Sequence, residues 1–273
     1  MPSTQRTVGD VSLDIFETGE GPPLLFLHGE DGLLFSHALI DALATTFRVL
    51  APEHPGWGGS SRPPYVTDVA DLARVYAELI ESLDGPVAVV GCSFGGWVAA
   101  ELAVQSRVPL GPVVLVAPTG IKIGDREERD YADIWIAAMD ELPTILYGRP
   151  DRAPDLKELD DEQYLYLARA QEATARYCWA PYMHDPKLRH WLRRIVAPTA
   201  VVSGSADRFA LLDGFYATYA SLIGADGAEH IVVDGGGHRL EEEEPIELAR
   251  IIQEFVTAEG GAIASVAASQ GAQ

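Results

Sequence analysis

Ser93 lies in a local sequence that could make its hydroxyl a nucleophile. It is the centre of the pentapeptide GCSFG at residues 91–95, a G-x-S-x-G pattern between an apolar run and a helical pattern. A sharp turn from a strand into a helix crowds the neighbouring backbone, so glycine is needed on both sides of the serine. The helix that follows would favour negative charge developing near the hydroxyl. The alternative, a glycine-rich turn without chemistry, leaves the flanking strand and helix patterns without a role.

A serine nucleophile needs a base and a third group that holds the base, and the later chain offers both. Asp207 follows an apolar run at 199–203, and His238 follows another at 230–233. The order serine, aspartate, histidine, each after a strand, is typical of nucleophile-elbow hydrolases. Reacting groups gather at the carboxyl ends of parallel strands, so we expect the three side chains to meet. Asp234 is the competing acid, but it lies at the end of the same strand as His238.

The elements predicted around these residues alternate between strand and helix. Apolar or alternating runs predict strands at 11–18, 24–27, 47–51, 86–90, 112–116, 199–203 and 230–233. Helical spacing of apolar residues predicts helices at 35–43, 68–83, 94–105, 211–222 and 245–256. This alternation is typical of the α/β class, with a mostly parallel sheet and helices on both faces.

The alternation stops between residues 121 and 193. That segment contains no strand pattern, and it predicts helices at 131–141, 162–177 and 188–195. We therefore expect an α/β core made of residues 1–120 and 194–258, with a helical cap inserted at 121–193. Residues 259–273 are small and polar without periodicity and predict a flexible tail.

Composition and charge exclude several classes of function. Among 273 residues, 20 are Lys or Arg and 41 are Asp or Glu, which gives a net charge of −21. Such a charge repels nucleic acids and anionic membranes. Cys92 and Cys178 form neither a CxxC pair nor a cluster with histidine, so no disulfide framework or zinc site is indicated. The N-terminus lacks the apolar run of a secretory signal, so we expect a cytoplasmic protein.

Together these motifs resemble the α/β-hydrolase family over nearly the whole core. His28-Gly29 after a buried strand is similar to the HG oxyanion loop of that family, and APEHPGWGGS at 51–60 is similar to its turn after strand four. Gly237-His238 followed by Glu244-Pro245 is also similar. The resemblance implies the α/β-hydrolase fold with a cap over a triad of Ser93, Asp207 and His238.

The resemblance also implies an oxyanion hole formed by the backbone N–H groups of Phe94 and Glu30. We expect His28 to pack the loop rather than act as a second base. The Glu30-Asp31 pair departs from the small or apolar residues common at this place. A carboxylate turned into the hole would oppose an oxyanion, so the pair either points away or serves substrate choice. We expect the Glu30 amide to serve the site while the acidic pair makes the cleft entrance electronegative. Glu241–Glu244 is expected to form a solvated helix N-terminus.

The expected function is cofactor-independent serine hydrolysis of a carboxylic ester, lactone or related acyl bond through an acyl-enzyme. The substrate is expected to be small to medium and partly apolar, because the cap is rich in tyrosine and tryptophan. An alternative is a carbon–carbon hydrolase of aromatic ring-cleavage products, although the HGEDG loop and Arg239-Leu240 do not match that subgroup. A non-catalytic ligand-binding protein is a third possibility, which the intact triad opposes. We expect no metal or cofactor, no nucleic-acid or membrane partner, and a monomer or homodimer.

Overall fold

An eight-stranded sheet runs through the centre of the molecule. The computed structural model describes residues 3–270. The strands are β1 (Thr4–Val8), β2 (Val11–Thr18), β3 (Pro23–Leu27), β4 (Arg48–Pro52), β5 (Ala88–Cys92), β6 (Val113–Val116), β7 (Thr199–Gly204) and β8 (Glu229–Val233). Their spatial order is β1-β2-β4-β3-β5-β6-β7-β8. The pairs β1–β2 and β2–β4 are antiparallel and the others are parallel, which confirms the predicted mostly parallel sheet.

The burial of each strand follows from its place in the sheet. Every residue of β5, β6 and β7 is buried, and these strands are nearly continuous apolar runs because helices cover both of their faces. Strand β1 lies at an edge, and four of its five residues are polar. A short, polar edge strand has little apolar signal, which is why the sequence patterns did not predict it.

Helices cover the sheet on both faces. They are α1 (His37–Leu43), α2 (Val69–Glu81), α3 (Phe94–Gln105), α4 (Leu142–Leu146), α5 (Asp161–Cys178), α6 (Leu188–Trp191), α7 (Phe215–Ser221), α8 (Leu240–Glu243) and α9 (Pro245–Gln270). One hydrophobic core contains side chains of α2, α3 and α7, and a second contains side chains of α1 and α9. Helix α2 begins at a capping box formed by Asp68 and Asp71, and its apolar residues face the first core. The sheet therefore separates two cores.

The segment between β6 and β7 is helical, as the sequence predicts, and contains α4, α5 and α6 together with short 3-10 turns. The helix predicted at 131–141 is wrong, because those residues form turns. The Asp133 carboxylate accepts hydrogen bonds from the backbone N–H groups of Trp135 and Ile136. A side chain that binds the backbone in this way competes with the helical hydrogen bonds.

The C-terminal residues also differ from expectation. The sequence predicts a flexible tail at 259–273, but α9 continues to Gln270. Alanine, which is frequent in this stretch, has the highest helix propensity, and a helix that is already nucleated extends at low cost. Residues 271–273 lie outside the described residues.

Candidate active site

Ser93 occupies a sharp turn between β5 and α3. Its φ angle of +50° lies in the left-handed region, which a non-glycine residue rarely adopts. A Cβ atom at Gly91 would lie 2.2 Å from the carbonyl oxygen of Gly95, and a Cβ at Gly95 would lie 2.1 Å from that of Leu27. Both glycines are therefore required by close backbone contacts. The Ser93 N–H donates to the Val116 carbonyl at 2.8 Å, which anchors the turn on β6.

The structure brings Ser93, His238 and Asp207 together in one hydrogen-bonded chain. Ser93 Oγ lies 2.7 Å from His238 Nε2, and His238 Nδ1 lies 2.9 Å from Asp207 Oδ2. Asp207 follows β7 and His238 follows β8, so parallel strands deliver both side chains to the same edge of the sheet. Asp234 is exposed and contacts the Ser205 hydroxyl instead, at 3.3 Å.

The Asp207 carboxylate is held in place and kept ionised by its neighbours. Oδ1 accepts the backbone N–H groups of Phe209 and Ala210, at 2.7 and 3.1 Å. Burial alone would raise its pKa, but the attraction of His238 and the hydrogen bonds from His238, Tyr216 and Ala210 hold the pKa below its ordinary value. An ionised carboxylate at Nδ1 favours the tautomer that leaves Nε2 free to accept the Ser93 proton.

Tyr216 is a site residue that the sequence patterns did not indicate. Its hydroxyl donates to Asp207 Oδ2 at 2.7 Å and lies 3.3 Å from His238 Nδ1. It belongs to α7, whose apolar spacing predicts core packing for an aromatic side chain. No local pattern distinguishes a tyrosine that packs from one that also donates a hydrogen bond to a buried acid.

The position of Glu30 corrects the expectation that its side chain lies at the cleft entrance. The side chain is buried, and Oε1 lies 2.7 Å from Ser93 Oγ. The Glu30 backbone N–H, which was predicted to bind an oxyanion, is among the hydrogen-bond donors to this carboxylate. The carboxylate therefore occupies the space next to the nucleophile, on the side where the oxyanion hole was expected.

Arg239 explains why the Glu30 carboxylate turns inward. This buried guanidinium lies 3.2 Å from Glu30 Oε2 and 2.8 Å from Asp31 Oδ2, both through Nη2. Its Nη1 lies 3.6 Å from Glu241 and 3.9 Å from Glu242. We call Arg239 with these four acids the Arg239 cluster. Two of its acids belong to the run predicted to be a solvated helix N-terminus, and that prediction is wrong because the buried guanidinium draws them into the interior.

The charges of the Arg239 cluster are not shared equally. Burial would raise the pKa of Glu30, but attraction by Arg239 and His238 and the hydrogen bond from Ser93 hold it below its ordinary value. Burial raises the pKa of Asp31 above its ordinary value, and it raises that of Glu242 to about 8 against the attraction of Arg239. One guanidinium cannot neutralise four ionised carboxylates in the interior. The negative charge of the cluster is therefore located mainly on Glu30, whose pKa alone is lowered among the three acids compared here.

Helices α4 and α5 contact the loops that carry Glu30 and His238. Ser93, Glu30 and His238 are each 1% exposed. Thr174 of α5 donates its hydroxyl to the Glu30 carbonyl at 3.0 Å, and the backbone N–H groups of His238 and Arg239 donate to the carbonyl of a residue at the end of α4 at 2.8 and 3.0 Å. In this structure Ser93 is therefore almost inaccessible to solvent.

His28 is fixed as a packing residue. Its Nδ1 lies 2.7 Å from the Gly29 carbonyl, and its Nε2 accepts the His54 backbone N–H at 3.0 Å. Burial lowers the pKa of His28 to about 4, against the hydrogen bond to Gly29. The ring is therefore neutral near pH 7, and both nitrogens are engaged with the loop rather than with Ser93.

Two kinds of feature are absent from residues 3–270. No group of three or more His, Cys, Asp or Glu side chains there is arranged to hold a metal ion. No helix in that range is long and apolar enough to cross a membrane.

Comparison with known proteins identifies the class. Residues 24–251 match the model of the alpha/beta hydrolase family, and the chain belongs to that family. A 2-hydroxy-6-oxo-6-(2'-aminophenyl)hexa-2,4-dienoic acid hydrolase from Metapseudomonas resinovorans is 24% identical over 91% of this chain and 89% of its own length. A probable 1-acylglycerol-3-phosphate O-acyltransferase from Oryza sativa subsp. japonica is 31% identical over 48% of this chain, a match that spans about a third (32%) of that relative.

The fold comparison agrees with the family assignment. A solved structure of the meta-cleavage product hydrolase from Pseudomonas fluorescens IP01 superimposes with a TM-score of 0.75, at 20% identity, over 93% of this chain and 97% of that chain. The likeness confirms the predicted α/β-hydrolase architecture. The protein is thus a member of the alpha/beta hydrolase family in both sequence and fold.

Proposed function

We propose that this protein is a serine hydrolase that cleaves a carboxylic ester, lactone or related acyl bond through an acyl-enzyme on Ser93. The observation that carries the proposal is the unbroken hydrogen-bonded chain from Ser93 through His238 to Asp207, with separations of 2.7 and 2.9 Å. These distances meet the requirement that a nucleophile, its base and the orienting acid lie within hydrogen-bond reach of one another.

The proposed reaction has two halves. The Ser93 oxygen attacks the acyl carbon while His238 Nε2 accepts the hydroxyl proton, and His238 then gives that proton to the leaving oxygen. Asp207 stabilises the imidazolium that forms in between. In the second half His238 accepts a proton from water and the hydroxide attacks the acyl carbon. The bond to Ser93 then breaks as His238 gives that proton to the Ser93 oxygen, which releases the carboxylic acid and restores the enzyme. No cofactor is needed for these steps.

The aromatic residues of the segment between β6 and β7 divide into two groups. The rings of Trp135, Trp179 and Tyr182 pack on one another with centroid separations of 5.3–5.6 Å, which points to packing within the cap. Tyr177 instead stacks on Trp57 at 5.5 Å, next to the loop that carries Glu30. Residues of this second kind are the better candidates for an apolar pocket wall.

A second candidate function is hydrolysis of a carbon–carbon bond in aromatic ring-cleavage products. The observation that favours it is the Metapseudomonas relative, whose match extends over nearly the whole chain. The ionised Glu30 beside the nucleophile disfavours it, because ring-cleavage products with a dienoic acid group are anions and like charges repel in a closed site. We therefore rank the ester hydrolase first.

Active-site labelling tests the proposal. Wild-type protein treated with a fluorophosphonate should carry one covalent label, which peptide mapping places on Ser93, and Ser93→Ala should carry none. Paired assays with neutral 2-naphthyl esters and with a ring-cleavage dienoate then rank the two reactions. Absence of the label and of turnover on both substrate types would instead favour a non-catalytic ligand-binding protein.

A further inference from the structure

The Ser93 hydroxyl has one proton and faces two acceptors. Its oxygen lies 2.7 Å from His238 Nε2 and 2.7 Å from Glu30 Oε1. In an acyl-enzyme the carbonyl carbon is bonded directly to the Ser93 oxygen, which lies beside Glu30. The carbonyl carbon and the carbon next to it must therefore lie near the Glu30 carboxylate. Whatever the substrate is, Glu30 contacts the part of it that surrounds the reacting carbonyl.

The Glu30 carboxylate cannot easily turn away from an incoming substrate. Arg239 lies 3.2 Å from its Oε2. The loop that carries it is tied to α5, because Thr174 donates to the Glu30 carbonyl and the Gln171 amide donates to Asp31 Oδ1 at 2.5 Å. The charge next to the nucleophile is therefore built into the closed site and is held from both ends of the loop.

The carboxylate also lacks hydrogen bonds that a ligand could supply. Oε2 of Glu30 is buried without a hydrogen-bond partner, despite its ionic contact with Arg239. When Ser93 gives its proton to His238 during attack, Oε1 loses its donor as well. The carboxylate then keeps only its own backbone N–H as a hydrogen-bond donor and the ionic contact with Arg239. A buried carboxylate with few donors is costly, so a substrate that brings a donor to this place makes a hydrogen bond that a plain acyl group cannot make.

The charge has a second consequence for the substrate. Attack on the carbonyl develops negative charge on its oxygen, and an ionised carboxylate within a few ångströms opposes that charge in a site closed to water. A positive or hydrogen-bond-donating substituent between the two negative oxygens would offset the repulsion. A plain alkyl acyl group offers no such compensation, and an anionic one adds to the repulsion.

We propose that Glu30 selects acyl groups that carry a hydrogen-bond donor on the carbon next to the reacting carbonyl, with an ammonium preferred over a hydroxyl. The inference rests on the proposed serine hydrolase function and assigns its substrate class: esters of α-amino acids, and more weakly of α-hydroxy acids. During attack the donor replaces the Ser93 hydroxyl on Glu30, and the Ser93 proton passes to His238. An ammonium is favoured because a charged donor forms the stronger hydrogen bond to a carboxylate.

Three 2-naphthyl esters of the same size test this inference: those of propionic acid, lactic acid and alanine. The assay is run at about pH 6, below the pKa of about 8 of an α-amino group, so that the alanine ester is a cation. For the wild type, kcat/KM should rise from propionate to lactate to alanine, with at least roughly a tenfold difference between the ends. In Glu30→Gln the alanine preference should disappear, so that the ratio of kcat/KM for the alanine ester to that for the propionate ester falls at least roughly tenfold.

Two further variants separate selection from general damage. Asp31→Asn removes a charge from the same Arg239 cluster without touching the nucleophile, and it should keep the alanine preference. Glu30→Asp keeps the charge but withdraws it from Ser93 by one methylene group, and it should reduce the preference. Glu30→Asp also provides a second test if Glu30→Gln does not fold, as judged by circular dichroism.

The outcomes that would overturn the inference are distinct from failure of the proposed function. Equal alanine-to-propionate ratios in the wild type and Glu30→Gln, with both proteins active and labelled at Ser93, would remove Glu30 from substrate selection and leave the serine hydrolase intact. A wild type that hydrolyses none of the three esters and takes no fluorophosphonate label would remove the acyl-enzyme, and this inference with it.

Discussion

The two sides of Ser93 present different kinds of carboxylate. On one side Asp207 contacts the nucleophile only through His238 and is held by backbone N–H groups and Tyr216. On the other side Glu30 contacts the Ser93 hydroxyl directly and is held by a buried guanidinium. The first arrangement stabilises a cation on the imidazole, whereas the second places a negative charge where the substrate must lie. In the proposed reaction the same residue chemistry thus serves proton transfer on one side and substrate choice on the other.

Substitutions in the chain of hydrogen bonds from Ser93 through His238 to Asp207 should have the largest effect on activity. Ser93→Ala should abolish turnover of the preferred ester. Asp207→Asn should lower kcat by a factor on the order of 10⁴, because the imidazole then loses its orienting charge. Asp234→Asn is the matched control, since Asp234 is exposed and makes no contact with His238, and its kcat should be unchanged.

Activity retained in Asp207→Asn but lost in Asp234→Asn would transfer the acid role to Asp234. Steady-state kinetics on the 2-naphthyl esters, together with thermal melts of each variant, measure this.

Loss of Arg239 should have the largest effect on stability. Arg239→Met leaves several buried carboxylates without a counter-charge, and breaking a buried ion pair in this way costs about 3–5 kcal/mol in the free energy of unfolding. Urea unfolding at neutral pH measures the change. Adding Glu30→Gln to Arg239→Met should recover part of the loss, because it removes one of the stranded charges.

An exposed arginine provides the contrast. Arg250 forms ion pairs with Glu247 and Glu254 on the surface of α9. Arg250→Met should leave the unfolding midpoint nearly unchanged. Equal destabilisation by the two arginine variants would contradict the account of the Arg239 cluster.

Glu53 sharpens the comparison, because its carboxyl lies on the Glu30 side but has no guanidinium partner. Burial raises its pKa to about 7, against the hydrogen bond from Tyr166 of α5. A raised pKa means that the folded state binds the Glu53 proton more tightly than the unfolded state does. This proton therefore stabilises the fold fully below the unfolded pKa of about 4.5, and the stabilisation is lost as the pH rises towards 7. Glu53→Gln mimics the protonated form and should unfold at a higher temperature than the wild type at pH 8.

The difference in the free energy of unfolding between Glu53→Gln and the wild type should amount to roughly 3 kcal/mol at pH 8, and it should shrink towards pH 5. Thermal melts of both proteins across this range measure it. A pH-independent difference would mean that Glu53 is already ionised in the folded protein at low pH.

Tyr216 should have the smallest of these effects. Tyr216→Phe removes the hydroxyl that donates to Asp207 while keeping the ring, and we expect kcat/KM to fall roughly tenfold, the equivalent of about 1.4 kcal/mol for one hydrogen bond to a charged group. The pH at which activity rises should also shift, which a purely structural role would not cause. Tyr219→Phe is the matched control on the same helix, because the Tyr219 hydroxyl is buried without a hydrogen-bond partner. Similar losses in both variants would assign Tyr216 to packing alone.

The two sides of Ser93 also differ in how far the sequence predicts them. Ser93, Asp207 and His238 each follow an apolar strand, and parallel strands bring their ends together, so local patterns and topology were enough to expect the contact. The sheet and most helices follow from the same periodicities. The helix predicted at 131–141 was wrong, because the Asp133 carboxylate binds two backbone N–H groups and holds a turn where the spacing of apolar residues predicted a helix.

The Glu30 side could not be predicted in the same way. The inward turn of Glu30 depends on Arg239, which lies more than two hundred positions along the chain, and on α5 closing over the loop. Acidic residues next to one another indicate a solvated surface, and only the three-dimensional position of one arginine reverses that expectation. The departure of Glu30-Asp31 from the family pattern indicated that this place is unusual, although it did not show that the Glu30 side chain turns towards Ser93.

The account depends most on a covalent intermediate at Ser93. Rapid mixing of the wild type with an excess of the preferred ester, followed by acid quench and peptide mass spectrometry, measures it directly, because acid stops the reaction before the acyl group is hydrolysed. The account predicts a mass increase equal to the acyl group on the peptide that contains Ser93, and no increase in the Ser93→Ala variant. Turnover of the ester by Ser93→Ala, or an acyl group found on Glu30 in place of Ser93, would contradict it.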